Sequence, residues 1–164
     1  MKTVELLPIV EQSLKSQGIA YQAVACDPEL ADTAAFCERY GYSLEQSANT
    51  ILVVTKEPNP RYAVCVVLAA TRLDVNKKVR ELLNARKVSF ASPEQTIEQS
   101  GMIIGGVTAF GFQSTPVFID AEVLNQPQVI MGGGNRTSKL VLNPQELKKL
   151  EGVEIVVGLA KPRD

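Results

Sequence analysis

Histidine is absent from all 164 residues. That absence removes Ser-His-Asp and Cys-His nucleophilic catalysis, imidazole acid–base chemistry and the usual zinc sites together. Cysteine is scarce: Cys26, Cys37 and Cys65 are odd in number, widely spaced and without a CxxC pair. They suggest neither a disulfide framework nor a metal site and read as small buried hydrophobes. DxD, HExxH and EF-hand patterns are missing, so no metal and no cofactor is expected. No apolar run reaches the length of a membrane-spanning helix. The first segment, MKTVELLPIVEQSLKSQG, carries acidic and polar residues where a signal-peptide core would lie. A cytoplasmic location without a membrane partner is therefore expected. An excess of one charge is lacking too, with 17 basic against 18 acidic residues, which argues against a partner such as duplex DNA held by charge alone.

The hydrophobic content is 45%, enough at this length for residues 1–164 to form one domain. Val4, Leu7, Val10 and Leu14 mark an N-terminal helix ending at Gly18, with Pro8 near its start. ADTAAFCERY reads as a helix stopped by Gly41. NTILVVTKE and RYAVCVVLAA form a hairpin around the breaker run PNP. Asp74 is placed to cap a helix through about Asn84. PVFID, PQVIM and KLVL read as short strands, Asn143 and Pro144 open a final helix, and VEIVVGLA supplies a last strand. Strands that mostly follow one another predict an α+β fold with a mixed, largely antiparallel, barrel-like sheet flanked by helices.

The stretch Ser92–Gly111 carries the strongest functional signal. Ser92, Pro93 and Gln95 compose a capping box, and Gly101 closes the helix they open. Gly105, Gly106 and Gly111 remain. A glycine pair lets backbone approach a ligand closely and present N–H groups to a carbonyl, carboxylate or phosphate. A second cluster, Gly132, Gly133 and Gly134, exceeds what a hairpin turn requires and reads as backbone pressed against something. Neither matches GxxxxGK[ST] or GxGxxG, which excludes the common ATP and dinucleotide loops.

SPEQTIEQSGMIIGGVTAFG, then PVFID, then GGGNR and KLVLNPQEL resemble, in order and interval, the YbaK and prolyl-tRNA-synthetase-associated editing domains. These are aminoacyl-tRNA deacylases that act in trans. The resemblance implies a hydrolase for the ester of a misacylated tRNA such as alanyl- or cysteinyl-tRNA(Pro). The acceptor end of aminoacyl-tRNA, and an aminoacyl-tRNA synthetase, are the implied partners. Gly105 and Gly106 fall on the family's glycine pair, Gly111 on the closing glycine, Asp120 on the acidic residue after the strand, and Gly132–Gly134 on the later turn. Ala109 stands where the family commonly has proline, and Asn49 stands where it has lysine, replacing a cation by a neutral amide.

The resemblance thus implies a catalytic set of Asn49, Gly105, Gly106, Val107 and Asp120, with the 105–107 amides at the oxyanion and no covalent nucleophile. Thr50, Gly111, Gly132, Gly133, Gly134, Arg136 and Lys139 are expected to contact the substrate, Arg136 and Lys139 being candidates for the missing cation. Arg72, Lys77, Lys78, Arg80 and Lys87 are expected on the tRNA backbone. Gly106→Val is expected to abolish hydrolysis with little effect on the fold. The alternative is a module that binds aminoacyl-tRNA, an aminoacyl-nucleotide or a synthetase without hydrolysis, because Asn49 replaces the lysine.

Overall fold

The structure, a computed structural model, describes residues 4–163. Pro8 opens α1 (Pro8–Ser16), whose Val10 and Leu14 are buried; proline suits a first turn because that N–H has no helical partner. After β1 (Gln22–Ala25) and a 3₁₀ turn capped by Asp27, α2 (Thr33–Tyr40) ends at Gly41 in the left-handed conformation. The two β-branched runs become β2 (Ala48–Thr55) and β3 (Tyr62–Leu68), antiparallel with Asn49 opposite Val67.

The helix expected from Asp74 is a π-helical turn, Val75–Val79, running into α3 (Arg80–Leu83), and the Asp74 side chain caps nothing. Short strands β4 (Thr71–Leu73) and β5 (Val88–Phe90) flank it. Three residues are too few to display a period, and neither strand was expected. α4 (Pro93–Ser100) carries both halves of its capping box: Gln95 N donates to Ser92 Oγ at 3.1 Å, and Ser92 N donates to Gln95 Oε1 at 2.9 Å. β6 (Val117–Asp120), β7 (Val129–Gly132) and β8 (Ser138–Leu142) follow. Asn143 caps a 3₁₀ segment, Pro144–Lys149, in place of an α-helix. The last strand is two, β9 (Val153–Val156) and β10 (Ala160–Pro162), separated by a turn with Gly158 at φ +77°.

A five-stranded sheet has the order β5-β2-β3-β6-β9, a three-stranded sheet the order β1-β8-β7, and β10 pairs with β4. Pairing is antiparallel except for β3 with β6 and β6 with β9. Alternation along β3 buries Val64, Val66 and Leu68 against α1 and the smaller sheet, and Ala63, Cys65 and Val67 against the π-helical turn and α3. The arrangement is the expected α+β domain, but the sheets do not close into a barrel. They meet at one parallel bridge, Ser47 to Ile130, where Ile130 N donates to Gln46 O at 2.8 Å. β5 covers the outer edge of β2 only from Val53 onward. The uncovered stretch of β2 between bridge and β5 is where the molecule opens.

Candidate functional site

A cavity of about 380 Å³ fills that opening. Its walls are the start of α2, Ser47 and the first four residues of β2, the glycine loop after α4, and the ends of β7 and β8. Of the expected site residues it gathers Asn49, Thr50, Gly105, Val107, Gly132 and Lys139.

Lys139 is 6% exposed. Its Nζ donates to Ala31 O at 2.6 Å and to Gly105 O at 2.9 Å, and lies 5.5 Å from the Phe36 ring centroid. Burial, the dominant influence, pulls its pKa below the ordinary lysine value. An ammonium has three N–H donors, so two are engaged by carbonyls and one is left. Asn49 is fixed by a helix residue: Thr33 Oγ1 donates to Asn49 Oδ1 at 2.9 Å, which leaves the Asn49 Nδ2 donors unengaged by that contact. The Thr50 hydroxyl is buried without a partner among the described residues.

The two glycine clusters press on each other. Gly134 N donates to Gly106 O at 2.7 Å, and Ile103 N donates to Gly134 O at 3.1 Å. A Cβ on Gly106 would strike the Asn135 carbonyl, and one on Gly132 would strike the carbonyls of Gly106 and Val107. Glycine is required there for backbone-on-backbone packing, so the expectation that Gly106→Val spares the fold is overturned. The Gly106 N–H, expected at the oxyanion, instead closes a turn on Ile103 O at 2.8 Å. The N–H groups of Gly105 and Val107 have no backbone acceptor among the described residues. Gly133 and Gly134 support the contact from outside the cavity, a Cβ on Gly133 meeting Ser138 and one on Gly134 meeting Leu7 and Val10.

Arg136 does not line the cavity but ties its rim. Its Nε donates to Pro28 O at 2.8 Å, and its Nη1 reaches Ile104 O at 3.0 Å and Asp32 Oδ1 at 3.3 Å. The start of α2 and the glycine loop are thereby held together.

Asp120 belongs elsewhere. Strand alternation buries Val117 and Ile119 with one core and Phe118 with the other; Asp120 shares the parity of Phe118 and meets the β9–β10 turn. Its Oδ1 accepts from Leu159 N at 3.1 Å and Ala160 N at 3.4 Å. Burial pushes its carboxyl above the ordinary value, against the pull of those N–H groups. Gly111 lines a separate groove of about 720 Å³ between α1 and residues 112–117. Arg72, Lys77, Lys78, Arg80 and Lys87 line no part of the cavity; they ride on β4, the π-helical turn, α3 and its exit, over the opposite core.

Sequence reasoning missed Asp32, Thr33 and Phe36, all wall residues. They lie in ADTAAFCERY, which reads only as a helix, and no spacing or motif there sets them apart; the Asp32 side chain caps nothing. Among the described residues no group of three or more Cys, Asp or Glu side chains is placed to hold a metal, and no helix is long and apolar enough to cross a membrane.

The fold and cavity define an α+β domain with a donor-lined opening at the edge of its larger sheet. The family model for the aminoacyl-tRNA editing domain matches residues 27–150, and the chain belongs to that family. It is 30% identical over 128 residues to the uncharacterized protein YwhH of Bacillus subtilis (strain 168), covering 73% of this chain and 81% of YwhH. The crystal structure of a proposed trans-editing enzyme for prolyl-tRNA synthetase is similar with TM-score 0.80 at 23% identity, covering 95% of this chain and 96% of that one. Hypothetical protein APE2540 is similar with TM-score 0.82 at 22% identity, covering 93% and 99%.

Proposed function

We propose that this protein is an aminoacyl-tRNA deacylase acting in trans on small misacylated residues, such as alanyl- or cysteinyl-tRNA(Pro). The observation that carries the reading is the buried Lys139 ammonium in the wall of a small cavity, in a chain of the editing-domain family. The charge absent at Asn49 is supplied from β8.

The ester carbonyl docks against the unengaged Lys139 N–H and the amides of Gly105 and Val107. Water attacks, assisted by a hydroxyl of the terminal ribose, since no imidazole exists in the chain and Asp32, at the rim, is the carboxylate that lines the cavity. Donors already in place stabilise the oxyanion, each contributing on the order of 3 kcal/mol. Collapse breaks the acyl–oxygen bond; the ribose oxygen takes a proton and the acid leaves as carboxylate. Asn49, steadied by Thr33, donates to the acyl or ribose oxygen. The need for such a site follows from the roughly 1–3 kcal/mol that one methylene gives a synthetase for discrimination. Arg72, Lys77, Lys78, Arg80 and Lys87 are assigned to tRNA phosphates at a distance from the chemistry, with the acceptor end, a cytoplasmic setting and a synthetase partner as parts of the same reading.

The test is deacylation of tRNA(Pro) charged separately with alanine, cysteine, serine and proline, by the parent, Asn49→Lys and Lys139→Met. Selective hydrolysis by the parent and loss in Lys139→Met are expected. A second reading, binding of charged tRNA without turnover, draws on Asn49 at the lysine position; saturable binding with no hydrolysis, and hydrolysis gained in Asn49→Lys, would replace the first reading with it.

A further inference from the structure

We infer that the cavity also binds a free small amino acid as a zwitterion, its carboxylate on Lys139 and its ammonium on Asp32, so that the acid released by hydrolysis is itself a ligand and inhibitor. The inference rests on reading this cavity as the deacylation site. Two charged residues line it, and they are arranged in depth. Lys139 is buried in the wall, whereas the Asp32 side chain is 70% exposed at the mouth.

Lys139 forms no ion pair among the described residues; its partners are the carbonyls of Ala31 and Gly105. A buried cation held only by carbonyls is stabilised by any carboxylate that reaches it. The remaining Nζ donor and Asn49 Nδ2, opposite the Thr33 contact, offer one donor to each carboxylate oxygen. The partnerless Thr50 hydroxyl lies in the same wall. At the mouth, Arg136 reaches only Oδ1 of Asp32, leaving Oδ2 to take an ammonium. The opposite orientation would set ammonium against ammonium. A ligand carboxylate should also lift the depressed Lys139 pKa back toward its ordinary value.

The experiment is calorimetric titration of the full chain with L-alanine, propionate and L-alaninamide, extended to glycine, serine, cysteine and proline, beside deacylation of alanyl-tRNA(Pro) with and without added alanine. A small amino acid is expected to bind at least about tenfold more tightly than propionate, alaninamide to bind below detection, and alanine to inhibit competitively. Asp32→Asn, at an exposed position, is expected to lower amino-acid affinity to that of propionate and leave propionate unchanged. Folded Lys139→Met is expected to bind none of the probes. Equal binding of alaninamide and alanine, no amino-acid binding by folded parent up to tens of millimolar, or retained binding by Lys139→Met would overturn the inference. Hydrolysis of mischarged tRNA without amino-acid binding would overturn it and leave the deacylase standing; amino-acid binding without hydrolysis of any tRNA would do the reverse.

Discussion

The cavity wall at β8 and the junction of β6 with the β9–β10 turn each bury one charged side chain, Lys139 and Asp120. Both charges are held by main-chain groups rather than by an opposite charge. The carboxylate accepts from two N–H groups of a turn that lies against it, which closes its surroundings. The ammonium is met by two carbonyls on one side and by open cavity on the other. A buried charge thus serves as a fastening in one place and faces an open cavity in the other. What separates them is whether the surrounding chain leaves room, not the chemistry of the side chain.

Lys139→Met attacks the contrast directly. Deacylation is expected to fall at least about 100-fold, the usual cost of deleting one preorganised donor, with the melting temperature within a few degrees of the parent. Parent-like hydrolysis by this variant would make Lys139 a fastening like Asp120. Gly106→Ala reaches the same wall through the backbone: the collision with the Asn135 carbonyl is expected to cost about 1–3 kcal/mol and to lower activity with it. A calorimetric scan showing no loss would mean that the two loops part without penalty. Asp120→Ala orphans the buried Leu159 N–H and the half-buried Ala160 N–H at an expected cost of about 1–3 kcal/mol, whereas Asp120→Asn keeps the acceptor and should stay near the parent. Both should retain activity per folded molecule, and a kcat deficit in folded Asp120→Asn would return Asp120 to the chemistry.

The two charges should also respond oppositely to pH. Lys139 is depressed below 10.5, so between its folded value and 10.5 the unfolded chain holds more protons and stability rises with pH. Hydrolysis, corrected for the spontaneous reaction, should fall over the start of that window because the ammonium is lost. Asp120 is raised above 3.8, so its contribution is full below 3.8 and is lost as pH climbs through the folded value; Asp120→Asn should flatten that acidic limb in denaturant titrations. The smallest effect is reserved for the remote cations: Lys77→Glu with Arg80→Glu should raise KM a few-fold and reduce the salt slope with kcat unchanged. An identical salt slope would detach that face from tRNA.

Much of the fold was legible because its signals are local. The capping box at Ser92 and Gln95 lies within one turn, and the pairing of β2 with β3 spans one short breaker run. Strands of three residues and the break at Gly158 were not legible, because they lack a full period. At the site, the sequence offered the glycines and Asn49 but assigned the glycines to a ligand. Gly106 and Gly132 instead meet each other's backbone, a contact between segments far apart in the chain.

The sequence by itself determined the Ser92 and Gly101 ends of α4, the β-branched hairpin, the absence of imidazole chemistry, and the ordered motifs that mark the editing-domain family, all readable within a few residues or by inventory. Only the tertiary structure decided that Lys139 faces the cavity and Asp120 a turn. Those contacts span 34 residues to Gly105 and 39 to Leu159, and no local preference encodes which distant carbonyl or amide a buried charge will meet once the sheets have packed.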